Sequence, residues 1–408
     1  LKPGFAFLFL SLLGNLGLLF FFKYFDFAAG LFNSAMKAGG LELTVPALGL
    51  LLPVGISFYT FQTLSYTIDV YRGNLPVERS FGRFSLYVTF FPQLVAGPIV
   101  RASEFIPDIQ KGIYHFLPDA TDFNYGVFQF LGGLLKKMLA DWLAFGLIDR
   151  VYENSSMFTS AEALIVFYAY GLQIYGDFSG YTDMAMGSAR LLGFRLTDNF
   201  NRPYQSASIS EFWRRWHISL GSWFRDYVYI SLGGNRSLVL RNLFVTMFLA
   251  GLWHGAGLMF IGWGIYHGFF LILERYLGQG KADGNAPGLG LGSTEGFSWT
   301  RIPRQILTLH LVLLGWVLFR SHNLDQFMEF FSTIGNMKWA IPNAKPMYIA
   351  VVVLAYMYHL SPVAWREKAA DLWNRQKLAV QISLTFVLLT GLYQISVQDV
   401  QPFIYFQF

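Results

Sequence analysis

The sequence predicts an all-α, polytopic membrane protein, and three observations carry that prediction. Only 13% of the 408 residues are charged and 54% are apolar, whereas a soluble domain carries about 25% charged residues. Several long stretches contain no Asp, Glu, Lys or Arg at all. The net charge of +5 is matched by one basic segment instead of being spread along the chain.

A bilayer core of about 30 Å takes roughly 17 to 25 apolar residues per helix, because unpaired backbone groups are not tolerated in lipid. Uncharged stretches run over residues 3–22, 43–68, 84–100, 242–273, 346–365 and 378–398, and each predicts a span. Weaker spans are predicted at 123–149, interrupted by Lys136, Lys137 and Asp141; at 161–189, interrupted by Asp177 and Asp183; and at 305–319. About nine to eleven membrane segments are expected, several of them tilted or re-entrant. The 242–273 stretch would measure about 48 Å as one straight helix, so it must tilt steeply or break. Gly251, Gly255 and Gly257 bracket its middle, where glycine permits both a break and close helix approach. Residues 278–296 hold seven glycines with Pro287, Ser293 and Thr294, which predicts a flexible extramembrane loop over about 278–300. The rest reads as one membrane domain over 1–408, without a repeat of fixed period.

Composition also excludes chemistry. There is no cysteine, so disulfides, thiolate zinc sites and cysteine nucleophiles are ruled out. The histidines at 115, 217, 254, 267, 310, 322 and 359 fit no zinc signature such as His-Glu-x-x-His, and no metal is expected. Between residues 190 and 241 lie eight arginines against three acids. An excess of arginine marks the cytoplasmic face, and no nucleic-acid partner is expected.

The segment 208–228 lies inside that basic stretch. Ser208 and Glu211 have capping-box spacing. At 100° per residue, Phe212, Trp213, Trp216, Leu220, Trp223, Phe224 and Tyr227 share one face, while Arg214, Arg215, Ser219, Ser222, Arg225 and Asp226 share the other. This predicts an interfacial helix with its rings at headgroup depth in membrane lipid. Two readings stay open: a lipid anchor alone, or arginines that also attract a phosphate-bearing donor, since guanidinium matches phosphate bidentately.

Position separates the histidines. His254 follows twelve uncharged residues and precedes nineteen. An ionisable group at such depth is by default a functional hypothesis, and an uncharged imidazole there can accept a proton from a bound hydroxyl. The plainer alternative is a histidine that only hydrogen-bonds between helices. His267, thirteen residues on, faces away from His254 on an unbroken helix; His310 and His359 lack a surrounding motif and read as structural. Asp177 and Asp183 flank Phe178, Ser179, Gly180, Tyr181 and Thr182. These carboxylates can hold a basic partner, cap a break or line a polar passage; Asp177, Ser179 and Tyr181 are the candidate cavity-lining residues.

Eight blocks then carry a resemblance: 91–98 (FPQLVAGP), 177–181 (DFSGY), 199–204 (NFNRPY), 211–220 (EFWRRWHISL), 223–227 (WFRDY), 232–236 (LGGNR), 251–256 (GLWHGA) and 403–408 (FIYFQF). Together they resemble the bacterial membrane-bound O-acyltransferase family, over most of the chain. Among its branches the sequence looks most like the type that O-acetylates alginate; others serve cellulose, peptidoglycan or teichoic-acid D-alanylation, and the 232–236 block favours acetylation over D-alanylation.

The resemblance implies a ring of tilted helices with re-entrant pieces around a thinned centre, where funnels from both faces meet. It implies His254 as the catalytic histidine and His217 as the second polar site residue. Arg214, Arg215 and Arg225, with Trp216 and Trp253, are the expected donor-binding residues. No bound cofactor is implied; acetyl-CoA or another acyl thioester is the donor, an exported polysaccharide the acceptor, and an extracytoplasmic acetyltransferase the expected partner. The implied location is the bacterial inner membrane, with further helices preceding residue 1. A covalent acyl-histidine relay is the less favoured variant. The competing class is a transporter whose intramembrane histidines and aspartates relay protons or a solute.

Overall fold

Helix propagates wherever apolar side chains recur without proline, and the chain obeys this almost throughout. A computed structural model describes residues 4–94, 97–111, 118–278 and 299–395, and its regular elements are all helical among the described residues. Helices of seven residues or more are α1 (Phe5–Ala38), α2 (Ile56–Arg72), α3 (Phe81–Thr89), α4 (Ala102–Gln110), α5 (Ala120–Leu143), α6 (Ser160–Leu191), α7 (Ile209–Arg215) and α8 (Ile218–Phe224). They continue with α9 (Val239–His254), α10 (Leu258–Tyr276), α11 (Ile302–Arg320), α12 (Leu324–Gly335), α13 (Pro346–Leu360), α14 (Val363–Asn374) and α15 (Leu378–Ile395).

Three of these, α1, α11 and α15, are long and apolar enough to cross a membrane, and the pair α13–α14, bent by 95°, makes a fourth candidate. The nine to eleven segments expected include tilted and re-entrant pieces, and two of the predicted stretches are only partly helical. The 43–68 stretch is helical only from Ile56, because Pro46 and Pro53 interrupt it. Its first part is extended and tied to α1: Asp26 accepts from the N–H groups of Leu48 and Gly49, and Asn33 exchanges two bonds with Val45. The 84–100 stretch stops being helical at Thr89 and keeps only a turn over Phe91–Leu94. Conversely, the first span does not end at residue 22. It runs on for 34 residues in all, past Lys23 and Asp26, through a π-turn at Phe20–Tyr24. The 279–298 part of the expected flexible loop, residues 95–96 and the 403–408 block lie outside the described residues.

The α5–α6 hairpin forms the largest helix contact. Asp122 pairs with Arg190 at one end, Gly133 meets Gly180 in the middle, and Lys137 pairs with Asp177 beyond it, so the two helices are antiparallel. A Cβ on Gly133 would come within 2.5 Å of the Gly180 carbonyl, a contact no other residue permits. Behind this hairpin lies an aromatic core in which Trp216, Trp263, Trp316, Tyr170, Phe178 and Phe212 are fully buried.

The expected interfacial helix over 208–228 is not what forms. The segment splits at Trp216–His217 into α7 and α8 and ends in a π-turn, and its aromatic face packs into the protein core instead of lipid. Phe212 lies 5.7 Å from Trp216, and Trp216 lies 4.8 Å from Trp316. An amphipathic pattern reports an apolar partner, and here that partner is protein. Ser208 does cap α7 by accepting from Glu211 N at 3.0 Å, but Glu211 reaches back to Ala207 N and not to the Ser208 amide.

Candidate active site

The 242–273 stretch breaks, as its length requires, and the break falls immediately after His254. α9 and α10 pack antiparallel on glycine: a Cβ on Gly251 would lie 2.4 Å from the Phe260 carbonyl, and one on Gly264 would lie 2.5 Å from that of Met247. Gly255 leaves the helix in extended conformation, with the Phe260 ring filling the space of its missing side chain. His254 is thus the last residue of α9, held at a helix end inside the protein.

His217 reaches the same place by a different route. It has φ of +45°, one of the non-glycine residues in the left-handed region, a conformation that costs a non-glycine residue about 1 kcal/mol or more and points to function when its surroundings enforce it. The surroundings here are Asn199. Its carbonyl accepts from Ile218 N at 2.9 Å, and its side-chain oxygen accepts from both Ser219 N and Ser219 Oγ. Sequence reasoning includes Asn199 in a block but does not assign it this work.

Trp253 brings the two histidines together. Its ring lies 5.9 Å from His217 and 5.1 Å from His254. Phe58 and Phe178 close the His217 end, at 6.4 and 4.6 Å, while Trp263 and Phe319 close the His254 end, at 4.8 and 5.3 Å. Both imidazoles are buried, at 1% and 3% exposure.

A cavity approaches each end of this row. The first, of about 520 Å³, is lined by Arg72, Arg101, Ser219, Arg225, Asp226 and Tyr227, and by Ile218, the residue after His217. The second, of about 390 Å³, is lined by Lys23, Leu52, Gly257, Phe319, Arg320 and His322. They lie at opposite ends of the antiparallel α1–α2 pair. Ser11 bonds Thr67 and Asn15 bonds Thr63, so Arg72 and Lys23 stand at the two ends of α2, whose 17 residues span about 25 Å. His254 itself faces Phe319, which also lines the second cavity. The Phe319 ring therefore meets the imidazole on one side and the second cavity on the other.

The predicted donor residues divide. Arg225 lines the first cavity and is joined there by Arg72 and Arg101, which sequence reasoning missed. Arg101 and Arg225 bond the Asp226 carboxylate, Arg72 bonds its carbonyl, and Arg101 sits over the Tyr227 ring at 4.5 Å. Arg215 goes elsewhere: it is buried, pairing with Glu211 and bonding the Asn201 carbonyl. Arg214 follows Trp213 on α7, away from this lining, and Trp216 is a core ring. Trp253 belongs to the histidine row. Asp177, Ser179 and Tyr181, the expected cavity-lining residues, stand at the α5–α6 contact. Asp177 pairs with Lys137, Ser179 accepts from Lys136, and Lys137 lies 5.0 Å over the Tyr181 ring. Of the three roles open to these carboxylates, holding a basic partner is the one seen. No group of three or more His, Cys, Asp or Glu able to hold a metal occurs among the described residues.

Comparison with known proteins agrees with the motif blocks. The model of the membrane-bound O-acyltransferase family matches residues 75–282. A Pseudomonas syringae protein named "Probable alginate O-acetylase AlgI" is 43% identical over 327 residues, covering 79% of this chain and 59% of its own length. A protein of the same name from Azotobacter vinelandii is 36% identical over 98% of this chain and 84% of its own. The peptidoglycan O-acetyltransferase of Helicobacter pylori is 34% identical over 79% and 63%. The chain thus spans about three fifths of the Pseudomonas relative and most of the Azotobacter one. With the family model matching residues 75–282 and a relative 36% identical over nearly the whole chain, the chain belongs to the membrane-bound O-acyltransferase family.

Proposed function

We propose that the protein transfers an acetyl group from a cytoplasmic thioester to hydroxyls of an exported polysaccharide, alginate being the acceptor that most of the relatives' names favour. The observation that carries this reading is the row His217–Trp253–His254 set between two cavities at opposite ends of α2. The donor, acetyl-CoA or another acyl thioester, occupies the cavity of Arg72, Arg101 and Arg225, where two arginines from elsewhere in the chain join one from the basic 190–241 segment and guanidinium matches phosphate chemistry. The acceptor side is the cavity of Lys23 and His322.

In the proposed reaction His254 takes the proton of an acceptor hydroxyl as its oxygen attacks the thioester carbonyl. The carbon–sulfur bond then breaks, and the imidazolium returns its proton to the leaving thiolate. His217 is the second polar group at the reacting centre, fixed by Asn199. Phe319 must swing aside for the acceptor to reach His254, so its ring acts as a partition between cavity and base. The proposed setting is the bacterial inner membrane, with an extracytoplasmic acetyltransferase as a partner at the acceptor side.

The test uses the full chain in lipid nanodiscs with radiolabelled acetyl-CoA and alginate. The expected result is label in the polymer, reduced about 10²–10⁴-fold in His254→Ala while helical content is kept. Turnover that persists in His254→Ala removes the histidine from the chemistry. Solute flux with no donor turnover favours the transporter reading.

A further inference from the structure

The C-terminal end of α9 presents a problem that the family motifs do not solve. A helix leaves its last carbonyls without partners, and within a bilayer each unmatched group costs several kcal/mol. Glycine in the left-handed conformation is the common remedy, but Gly255 is extended and offers none.

The remedy comes from α1. Lys23 Nζ donates to the carbonyl oxygens of Trp253 and His254, at 2.8 and 3.1 Å, and Tyr24 Oη donates to that of Leu252 at 3.0 Å. Three consecutive carbonyls at the end of the site helix are thereby capped by two consecutive side chains of another helix. The same ammonium lies 5.8 Å from the centre of the Trp253 ring. Both donors stand at the end of the π-turn Phe20–Tyr24, and such single-turn bulges inside α-helices occur often at functional sites. The bulge shifts the register of α1 by a residue where Lys23 and Tyr24 meet α9. A cation at a helix C-terminus also suits the helix dipole.

We infer that Lys23, with Tyr24 beside it, is a positioning residue for catalysis: it fixes the main chain of Trp253 and His254, and with it the imidazole, relative to the reacting atoms. Both residues lie outside the 75–282 span matched to the family. The inference rests on His254 being the base. A lysine that only satisfies its own charge in lipid would affect how much protein accumulates and how it melts, but not the turnover of each folded molecule.

The experiment compares wild type, Lys23→Met, Lys23→Arg, Tyr24→Phe and His254→Ala as full chains in nanodiscs, measuring kcat and donor KM separately, with melting temperature as the record of folding. Misplacing a reacting group by about 1 Å costs about 10²-fold. Lys23→Met is therefore expected to lower kcat about 10²-fold with donor KM unchanged, Lys23→Arg to recover most of that loss, and Tyr24→Phe to lose about 3-fold by the same reasoning. Wild-type kcat in folded Lys23→Met overturns the inference while His254→Ala remains inactive. Should Lys23→Met fail to fold, the decision passes to Tyr24→Phe, where full kcat in a folded protein overturns it equally. An inactive wild type, or an active His254→Ala, refutes the proposed function instead.

Discussion

Two antiparallel hairpins of this protein, α5–α6 and α9–α10, are packed by the same device and differ in how they treat polar groups. Each brings its helices together on glycine, at Gly133–Gly180 in one and Gly251–Gly264 in the other. In α5–α6 the polar groups answer one another across the hairpin. Lys137 bonds Asp177 and Asp141, Lys136 bonds Asp183 and Ser179, and Arg190 bonds Asp122. In α9–α10 the helix stops at His254 and its carbonyls are met from outside, by α1. The first hairpin answers its buried lysines and aspartates largely from within, with Arg366 and Arg195 adding to Asp183 and Asp122 from outside, and it supports the fold. The second is left open within the hairpin, and its opening lies beside the cavity lined by Lys23, Gly257 and Phe319.

That contrast predicts a double dissociation. His254→Ala should abolish nearly all turnover, about 10²–10⁴-fold, with a smaller loss of melting temperature, the cost of the cavity left by a buried ring. Lys137→Met should do the reverse. Both Lys137 and Asp177 side chains are 4% exposed, and removing one member of a buried pair costs about 3–5 kcal/mol. The melting temperature should drop while kcat per folded molecule stays near wild type, and Lys137→Met with Asp177→Leu should regain much of the stability. A Lys137→Met protein that melts normally but turns over slowly would erase the distinction between the hairpins.

The smallest expected effect lies outside the membrane-spanning helices. Glu78 accepts from Arg83, from Ser80 N and from Gln110, and these bonds, the Arg83 bond foremost, hold its carboxyl down at about 2 against an ordinary 4.5. A carboxyl lowered in this way stabilises the folded state fully above 4.5 and loses that contribution as pH falls towards 2. Glu78→Gln should therefore lower the melting temperature slightly at pH 7, less at pH 3, and leave it nearly unchanged at about pH 2. An equal drop at pH 7 and pH 2 would show that the carboxylate's charge is not involved.

The legibility of these features in the sequence follows from the range of the interactions involved. The break after His254 is readable because it needs only length and glycine: thirty-two uncharged residues exceed one bilayer, and Gly255 sits in their middle. The helix over 161–189 is readable for similar reasons, although its aspartates look expensive until Lys136 and Lys137 are brought opposite them. The 208–228 segment misleads because periodicity reports which face is apolar and is silent about whether lipid or protein covers it. Lys23 reads as the end of a span, since charge usually marks the water boundary; its use as a cap depends on α1 lying against α9, more than 200 residues away in sequence. Arg72 and Arg101 are hidden in the same way, each far along the chain from the Arg225 they meet at the first cavity.

In the proposed reaction an acyl group passes between the two cavities through the row of His217, Trp253 and His254. Proteoliposomes with alginate trapped inside and labelled acetyl-CoA outside test it most directly, after sorting by which face of the protein is outward. Label is expected in the trapped polymer only where the Arg72–Arg101–Arg225 face meets the donor, and none with His254→Ala. Label that enters polymer only when donor and alginate share one side of the membrane would contradict it.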